Sequence, residues 1–406
     1  MRAGCASATW STRSTRSWPR STRACWGPRP VAHQRIIVVG AGIVGSVVAL
    51  RLAQRGAAVT LIEAATPGSG TSGSSFAWID ASHPGLESYL DINVDSHPAW
   101  RELGAELGDP SWLALTGTIM WEDEPAAQAT LERHVGLLRD LGHPVQAVTP
   151  AQAALLEPDL VTDDAAGTLW HFPTEGYLQP VAALGDLLAL GRDAGLTVRE
   201  GTRVTGLLRD GEAVTGVELE GGQRLPADVV VSCVGRFTQE LLAPAGIDVP
   251  MVDAEPADSP AVGLLVLTTP VPARLRGVVM GDGLMLRPDG AGRLLLHSDA
   301  IDARVREQLA TAAPPTLSEE LVALVRARLR GAGAAQVQSA RLGLRALPAD
   351  HRPVVGLARD GLYVVATHSG VTLAAVLGRL VAEELIDHRQ SEVLARYAPA
   401  RFQEAA

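Results

Sequence analysis

The most unusual absence in this 406-residue chain is lysine, because all 35 of its basic residues other than histidine are arginines. A Schiff base between a lysine and a carbonyl compound is therefore excluded. Cysteine is scarce too: Cys5 and Cys25 lie near the N-terminus, and Cys233 lies in an apolar run. Cysteines so placed provide neither a disulfide framework nor a cysteine metal cluster. This usage fits a reducing cytoplasm.

Long apolar runs are missing as well. The longest, residues 36–50, has 15 residues and contains several glycines, whereas a membrane-spanning helix needs about 20. We therefore expect a soluble, cytoplasmic protein with no membrane partner. Apolar residues still make up 47% of the chain, which is ample for one or two hydrophobic cores.

Acidic residues are absent from the N-terminal segment. Residues 1–35 carry seven arginines and no acid, which leaves 28 basic against 45 acidic residues in the remainder. This acidic balance argues against nucleic acid as a partner. Residues 1–33 repeat Ser-Thr-Arg without apolar periodicity, so we predict a disordered leader. The alternative is a targeting segment or a tail for an anionic partner.

The strongest motif comes directly after this leader. Residues 35–39 read as a buried strand, the glycines of 40–45 as a turn, 46–55 as a helix and 57–62 as a second strand, which Glu63 ends. In such a motif the glycines allow a tight turn, approach of a pyrophosphate and close helix packing. The acid accepts hydrogen bonds from a ribose and disfavours a 2′-phosphate. The motif therefore predicts a dinucleotide site for NAD or FAD rather than NADP.

Three further segments bear on the choice of dinucleotide. Residues 65–78 form a Gly/Ser/Thr-rich loop whose hydroxyls and amides could line a pyrophosphate. Residues 196–235 alternate strands with Asp-Gly and Gly-Gly turns and end in a buried apolar run. Residues 350–386 give a strand, a second glycine turn and a helix, which could cap a ligand held by the first turn.

In this order the segments resemble the flavin-dependent D-amino-acid oxidase superfamily, especially its glycine oxidase and sarcosine oxidase branch, over about residues 35–385. The resemblance implies an α/β fold: a discontinuous FAD-binding domain of the doubly wound Rossmann type, and a second, α+β substrate domain on a mostly antiparallel sheet. The implied division is a leader at 1–33, an FAD-binding domain at 34–90, 150–245 and 340–390, a substrate domain at 91–149 and 246–339, and a C-terminal tail at 391–406.

The resemblance also implies the cofactor and its contacts. No cysteine lies in the C-terminal third, so we expect FAD to be bound non-covalently. The residues that match the family's FAD contacts are Gly40, Gly42, Ile43, Val44, Gly45, Glu63, Ala64, Thr71, Ser72, Ser74, Ser75, Val204, Cys233, Val234, Gly235, Ser369, Gly370, Val371 and Thr372.

For the substrate, the informative segment is Gly-Leu-Arg at 343–345. In the family a similar segment carries an arginine that pairs with the substrate carboxylate, and Arg345 matches it. A planar guanidinium suits this role because it binds a carboxylate bidentately; Arg341 and Arg352 are weaker alternatives. His368 precedes the second glycine turn and is either a catalytic, substrate-binding residue or an ordinary loop histidine. Met285 falls where the family often carries a tyrosine, which puts the substrate's identity in doubt.

The implied reaction is the oxidation of an amine or amino acid. A hydride passes from the carbon that bears the amine to flavin N5, the imine is hydrolysed, and dioxygen reoxidises the flavin to give hydrogen peroxide. One alternative is a dehydrogenase for a 2-hydroxy acid or a specialised amine with another electron acceptor, and a second is a non-catalytic flavin-binding subunit. The histidines lack ligand spacing, so we expect no metal site; a homo-oligomer is an open alternative.

Overall fold

The computed structural model of the protein describes residues 34–402. The leader predicted for 1–33, and the last four residues of the predicted tail, lie outside the described residues.

Between these limits the strands are β1 Arg35–Val39, β2 Ala58–Ile62, β3 Trp78–Ile79, β4 Leu113–Ala114, β5 Thr118–Met120, β6 Gln146–Val148, β7 Leu169–Phe172, β8 Gly176–Leu178, β9 Thr197–Arg199, β10 Val204–Asp210, β11 Ala213–Leu219, β12 Arg224–Pro226, β13 Val229–Ser232, β14 Val262–Thr268, β15 Val278–Gly281, β16 Leu284–Pro288, β17 Leu294–His297, β18 Val337–Leu344, β19 Val354–Arg359 and β20 Leu362–Ala366. The helices are α1 Ile43–Gln54, α2 Leu90–Glu106, α3 Pro125–Asp140, α4 Pro150–Leu156, α5 Pro180–Asp193, α6 Thr238–Leu242, α7 Asp299–Glu307, α8 Pro315–Arg328, α9 Gly370–Leu385 and α10 Glu392–Ala395.

The first sheet has six strands in the order β19-β20-β13-β1-β2-β9, and all neighbours are parallel except β19 and β20. Successive side chains of β1 point to opposite faces, as the period of a strand requires. Ile36 and Val38 pack with the helices α1, α5 and α9. Ile37 and Val39 pack on the other face, where β11 and residues 242–249 contribute to the cover. This sheet confirms the predicted doubly wound α/β fold.

Helix α1 begins three residues earlier than the sequence predicts. It starts at Ile43, directly after the turn, and Gly56 with φ of +84° follows its last turn. The early start places Gly45 inside the first helical turn, against the glycine turn itself. A Cβ atom on Gly45 would lie 2.0 Å from the carbonyl oxygen of Gly40. The third glycine of the motif is therefore required by packing.

The second sheet has eight strands in the order β18-β14-β17-β16-β15-β5-β7-β6. All neighbours are antiparallel except β5 and β15, and α7 and α8 pack against it. The predicted mostly antiparallel sheet is confirmed.

The predicted division of the chain differs from the sheets at two places. Strand β7 lies in the segment 150–245, and β18 crosses the boundary at residue 340, yet both pair within the second sheet. Strand β7 belongs there because it forms antiparallel pairs with β5 and β6 on its two sides. We propose the two sheets, rather than the predicted boundaries, as the basis for dividing the chain into domains.

The helices of the described residues include none that combines the length and the apolar character needed to cross a membrane.

The packing at Gly45 can be tested with two helical glycines. We expect Gly45→Ala to lower the free energy of unfolding by about 1–3 kcal/mol, because the added methyl meets backbone that cannot move freely. Gly185→Ala is the matched control, since a Cβ atom at this position of α5 would meet nothing within 4 Å, and it should raise stability by roughly 0.5–1 kcal/mol. Chemical denaturation measures both; equal effects would contradict the packing argument.

Candidate active site

A cavity of about 540 Å³, the first cavity, opens at the carboxyl ends of β1, β2, β13 and β20. The carboxyl edge of a parallel sheet is where such folds bind their ligands. Most of the residues predicted to contact a dinucleotide line it: Gly40, Gly42, Ile43, Val44, Glu63, Ala64, Thr71, Ser72, Ser75, Val204, Cys233, Val234, Gly235, Gly370 and Val371.

The glycine turn brings backbone very close to backbone. Gly40 has φ of +98°, and a Cβ atom there would lie 2.6 Å from the carbonyl oxygen of Cys233. At the start of α1, the amide of Ile43 donates to the Ser72 hydroxyl over 2.9 Å. The positive end of the helix therefore faces the first cavity beside a serine hydroxyl, which is an arrangement suited to a phosphate.

Glu63 stands at the other side of the turn. Its carboxylate accepts hydrogen bonds from the amides of Ala41 at 2.8 Å and Ala65 at 3.0 Å. Each carboxylate oxygen retains acceptor capacity, so the group could also hold ribose hydroxyls. The sequence prediction missed Arg236 and Phe237, which line the same cavity and follow directly after Gly235.

Four predicted cofactor residues lie elsewhere. Gly45 is packed against the turn and does not line the first cavity. Ser74, Ser369 and Thr372 line a neighbouring cavity of about 460 Å³, the second cavity. The two cavities share Thr71, Ser75, His368 and Val371, so they adjoin each other.

Arg345, the residue predicted to pair with a substrate carboxylate, lines the second cavity with a quarter of its side chain exposed. Its Nη1 donates to the carbonyl of Val262 at 3.1 Å, and its Nη2 donates to the carboxylate of Asp302 at 2.7 Å. The two alternative arginines, Arg341 and Arg352, do not line this cavity. The guanidinium is thus in place, but a buried carboxylate already neutralises part of its charge.

Four charged or titratable residues around Arg345 were missed by the sequence prediction. The carboxylate of Asp299 lies 3.4 Å from Nε2 of His83 and 3.2 Å from Nε2 of His297. The Nδ1 atom of His297 lies 3.1 Å from the carbonyl of Leu264, which can only accept. Burial lowers the pKa of His297, but the hydrogen bond to Asp299 and the charge of Asp302 outweigh it and raise the pKa overall.

Asp80 is a second group that the sequence prediction missed. Burial, first, and the charge of Glu175 raise the pKa of Asp80 to about 7, against the opposing effects of His83 and Thr372. The Thr372 hydroxyl lies 2.9 Å from Oδ1 of Asp80 and 3.0 Å from the carbonyl of Trp78. One hydroxyl proton cannot serve both oxygens, so a protonated Asp80 satisfies both contacts. The side chain lines the second cavity.

His368 borders both cavities. Its side chain is exposed to the two cavities, and protein surrounds the ring on its other sides. Burial, first, and the charge of Arg345 lower the pKa of His368 to about 4, so the imidazole is neutral at neutral pH. Met285, the residue at the position where the family often carries a tyrosine, is 5% exposed and lines the second cavity.

The sequence model of the DAO family, described as FAD dependent oxidoreductase, matches residues 35–384. The chain belongs to this family. It is therefore an FAD-dependent oxidoreductase, and its predicted relationship and its cofactor, FAD, are confirmed.

Similar proteins of known name agree with this membership. Glycine oxidase of Geobacillus kaustophilus is 25% identical, over 88% of this chain and 93% of that protein. D-amino acid dehydrogenase of Methylobacterium radiotolerans is 30% identical, over 65% of this chain and 64% of that protein. The crystal structure of L-proline dehydrogenase from P. horikoshii superposes with a TM-score of 0.78 at 21% identity, over 92% and 98% of the two chains, which shows the shared fold.

The first cavity of this DAO family member fits FAD by its own chemistry. Gly40 and Gly42 keep side chains out of the turn, and the amides at the start of α1 supply positive potential for a pyrophosphate. Glu63, at the end of the adjacent strand β2, could supply hydrogen-bond acceptors for a ribose. A redox ring placed between the two cavities would meet His368 and Val371.

The raised pKa of Asp80 has a consequence for stability. An Asp whose folded pKa lies above its usual 3.8 stabilises the fold fully at low pH, and this contribution is lost as the pH rises to about 7. The side chain of Asp80→Asn cannot ionise, so this variant does not lose that contribution. Between about pH 4 and pH 7 we expect its free energy of unfolding to rise relative to that of the wild type, by an amount on the order of a few kcal/mol. Chemical denaturation across this range tests it; a constant difference would contradict the raised pKa.

Proposed function

We propose that this protein oxidises a small amine that also carries a carboxylate, and that the second cavity binds it. The observation that carries the proposal is the guanidinium of Arg345 in a cavity that shares walls with the first cavity. The contacts to Val262, Asp302 and His297 use at most three of the five N–H donors of the arginine. Further donors remain for a second anion. The names of the relatives, glycine oxidase and D-amino acid dehydrogenase, support this substrate class.

Different residues of the second cavity would contact different parts of the substrate. Arg345 would orient the carboxylate. Asp302, whose side chain is 2% exposed, would hold the guanidinium in one position from the interior of the protein. Fixed orientation of a substrate relative to its reaction partner is itself a large part of catalysis. Met285 would pack against the apolar part of the substrate.

A substrate amine arrives in water mostly as an ammonium ion, which must lose a proton before a hydride can leave the neighbouring carbon. Asp80 is the group suited to accept this proton, because its pKa of about 7 lies near the working pH. The facing groups are Glu175, which raises this pKa, and His83 and Thr372, which lower it. When bound, FAD supplies the hydride acceptor.

His368 would act as a neutral group between the two cavities. With a pKa of about 4, it adds no positive charge near neutral pH and can donate or accept one hydrogen bond per ring nitrogen. We propose that it positions the substrate and the cofactor relative to each other. We also propose that FAD is non-covalent, because Cys233, the single cysteine in the described part of the chain, is buried and its thiol pKa is raised by burial.

The electron acceptor has two candidates. We propose dioxygen, with release of hydrogen peroxide, and the relative named glycine oxidase supports it. The relative named D-amino acid dehydrogenase supports an acceptor other than dioxygen as the second candidate. An assay for peroxide in air, run beside reduction of an artificial dye, separates the two.

The decisive experiment is anaerobic mixing of the purified flavoprotein, one compound at a time, with small amino acids, their N-methyl derivatives, amines without a carboxylate and 2-hydroxy acids. We expect loss of the flavin absorbance with at least one amino acid and a much slower loss with the corresponding amine that lacks a carboxylate. Bleaching by 2-hydroxy acids alone, or by none of the compounds, would contradict the proposal.

Arg345 can be tested directly. For the amino acid that reduces the flavin best, Arg345→Met should raise KM by roughly 10- to 100-fold, because charged hydrogen bonds to the carboxylate are lost. Arg345→Lys keeps the charge without the bidentate geometry, so its KM should lie between those of the wild type and Arg345→Met. Arg341→Met is the matched control, since Arg341 does not line the second cavity. Equal KM values for Arg345→Met and the wild type would remove Arg345 from carboxylate binding.

A further inference from the structure

A buried polar cluster lies outside both cavities. It consists of His97 on α2, His143 just before β6 and Glu175 between β7 and β8. Their exposed fractions are 3%, 4% and 0%, and one ligand atom from each lies within 4.8 Å of the other two. Three separate segments therefore bring three groups that can bind a metal to one point inside the protein.

The hydrogen bonds of His97 fix which ring nitrogen faces this point. Its Nδ1 lies 3.0 Å from the carbonyl of Asn93 and 3.3 Å from that of Val94. Carbonyl oxygens can only accept, so Nδ1 carries the proton and Nε2 carries the lone pair. Nε2 is buried without a hydrogen-bond partner. Metal-binding histidines are oriented by this kind of bond to a backbone carbonyl.

The other two members complete the same arrangement. Nε2 of His143 is also buried without a hydrogen-bond partner and lies 3.8 Å from Oε1 of Glu175. Glu175 accepts the amides of Ala81 and Ser82 at 2.8 and 2.7 Å, and the Ser82 hydroxyl at 2.8 Å. Donors of this number hold a carboxylate in its ionised form. The lone pair of His97, the unpartnered Nε2 of His143 and the ionised carboxylate of Glu175 thus face one another in the protein interior. A cation between them would satisfy all three groups.

A second cluster, His297, Asp299 and Asp302, shows the contrast. There Arg345 already supplies the cation to Asp302, and His83 bonds Asp299. In the described part of the chain the one ion pair of Glu175 is the long contact with His143. Of the two clusters, the one formed by His97, His143 and Glu175 is therefore the one whose carboxylate has no cationic side chain within hydrogen-bond distance among the described residues.

We propose that His97, His143 and Glu175 form a binding site for one divalent transition-metal ion of the zinc class. Two imidazoles and one carboxylate are a donor set that zinc accepts, whereas calcium and magnesium prefer oxygen ligands alone. No sequence motif indicates the site, because its members come from three separate elements without the spacing of a metal-binding pattern.

The ion would support the wall of the second cavity. Glu175 holds the amides of Ala81 and Ser82, which lie between Asp80 and His83, and both of these line that cavity. An ion bound to Glu175 would join this segment to α2 and to the chain before β6. Its role is structural, and it adds a site to the proposed oxidase without depending on its substrate.

The test is the metal content of the flavoprotein, purified without a histidine tag, incubated with zinc and dialysed. We expect close to one zinc per chain by elemental analysis, and a higher melting temperature with zinc than after chelation. His97→Ala and Glu175→Gln should each lose the zinc and its thermal effect. His388→Ala, an exposed histidine on the chain after α9, should keep both.

Two further measurements keep the result decisive. Cobalt in place of zinc should give visible ligand-field bands in the wild type, so the site can be detected even if the variants fold poorly. Asp299→Asn should leave the zinc content unchanged; loss of zinc in this variant alone would place the ion in the second cluster and overturn the proposal. Wild-type protein without retained zinc and without cobalt bands would also overturn it. None of these measurements needs a substrate, so they stand apart from the oxidation test.

Discussion

The close approach of three pieces of backbone at the glycine turn is the constraint on which the structure depends. Gly40 lies against the carbonyl of Cys233, and Gly45 lies against Gly40, with no space for a side chain at either contact. These contacts set the spacing between β1, β13 and α1. They thereby place the start of α1 at the open edge of the sheet, where a phosphate can approach it.

This turn was predictable because its information is local. The strand, glycines, helix and acid fall within about thirty consecutive residues, and each position has one dominant physical requirement. The predicted helix start was three residues late because a glycine in the first turn lowers intrinsic helix propensity, while packing against the sheet favours it. The two sheets were expected from the family resemblance. The assignment of β7 was not, since a four-residue strand carries little periodicity.

The second cavity was only partly predictable. Arg345 stands in a segment with a known family pattern, whereas its partner Asp302 lies on α7 and shares no sequence feature with it. The same holds for His83, which meets His297 and Asp299 only in the folded chain. A pair such as Arg345 and Asp302 also has a cost, because a buried charge must stay paired or be replaced by another partner. In the function we propose, a substrate carboxylate would therefore share the arginine with Asp302 rather than bind it alone, and this sharing would favour orientation over strength of binding.

The walls of the first cavity are distributed along nearly the whole chain, from Val39 near the start to Val371 in α9. Helix α9 packs closely against α1, and β20 reaches β1 only through β13. A nascent chain that has not yet emerged from the ribosome as far as α9 consequently lacks part of the pocket. The complete pocket for the flavin is thus present only after nearly the whole chain has been synthesised.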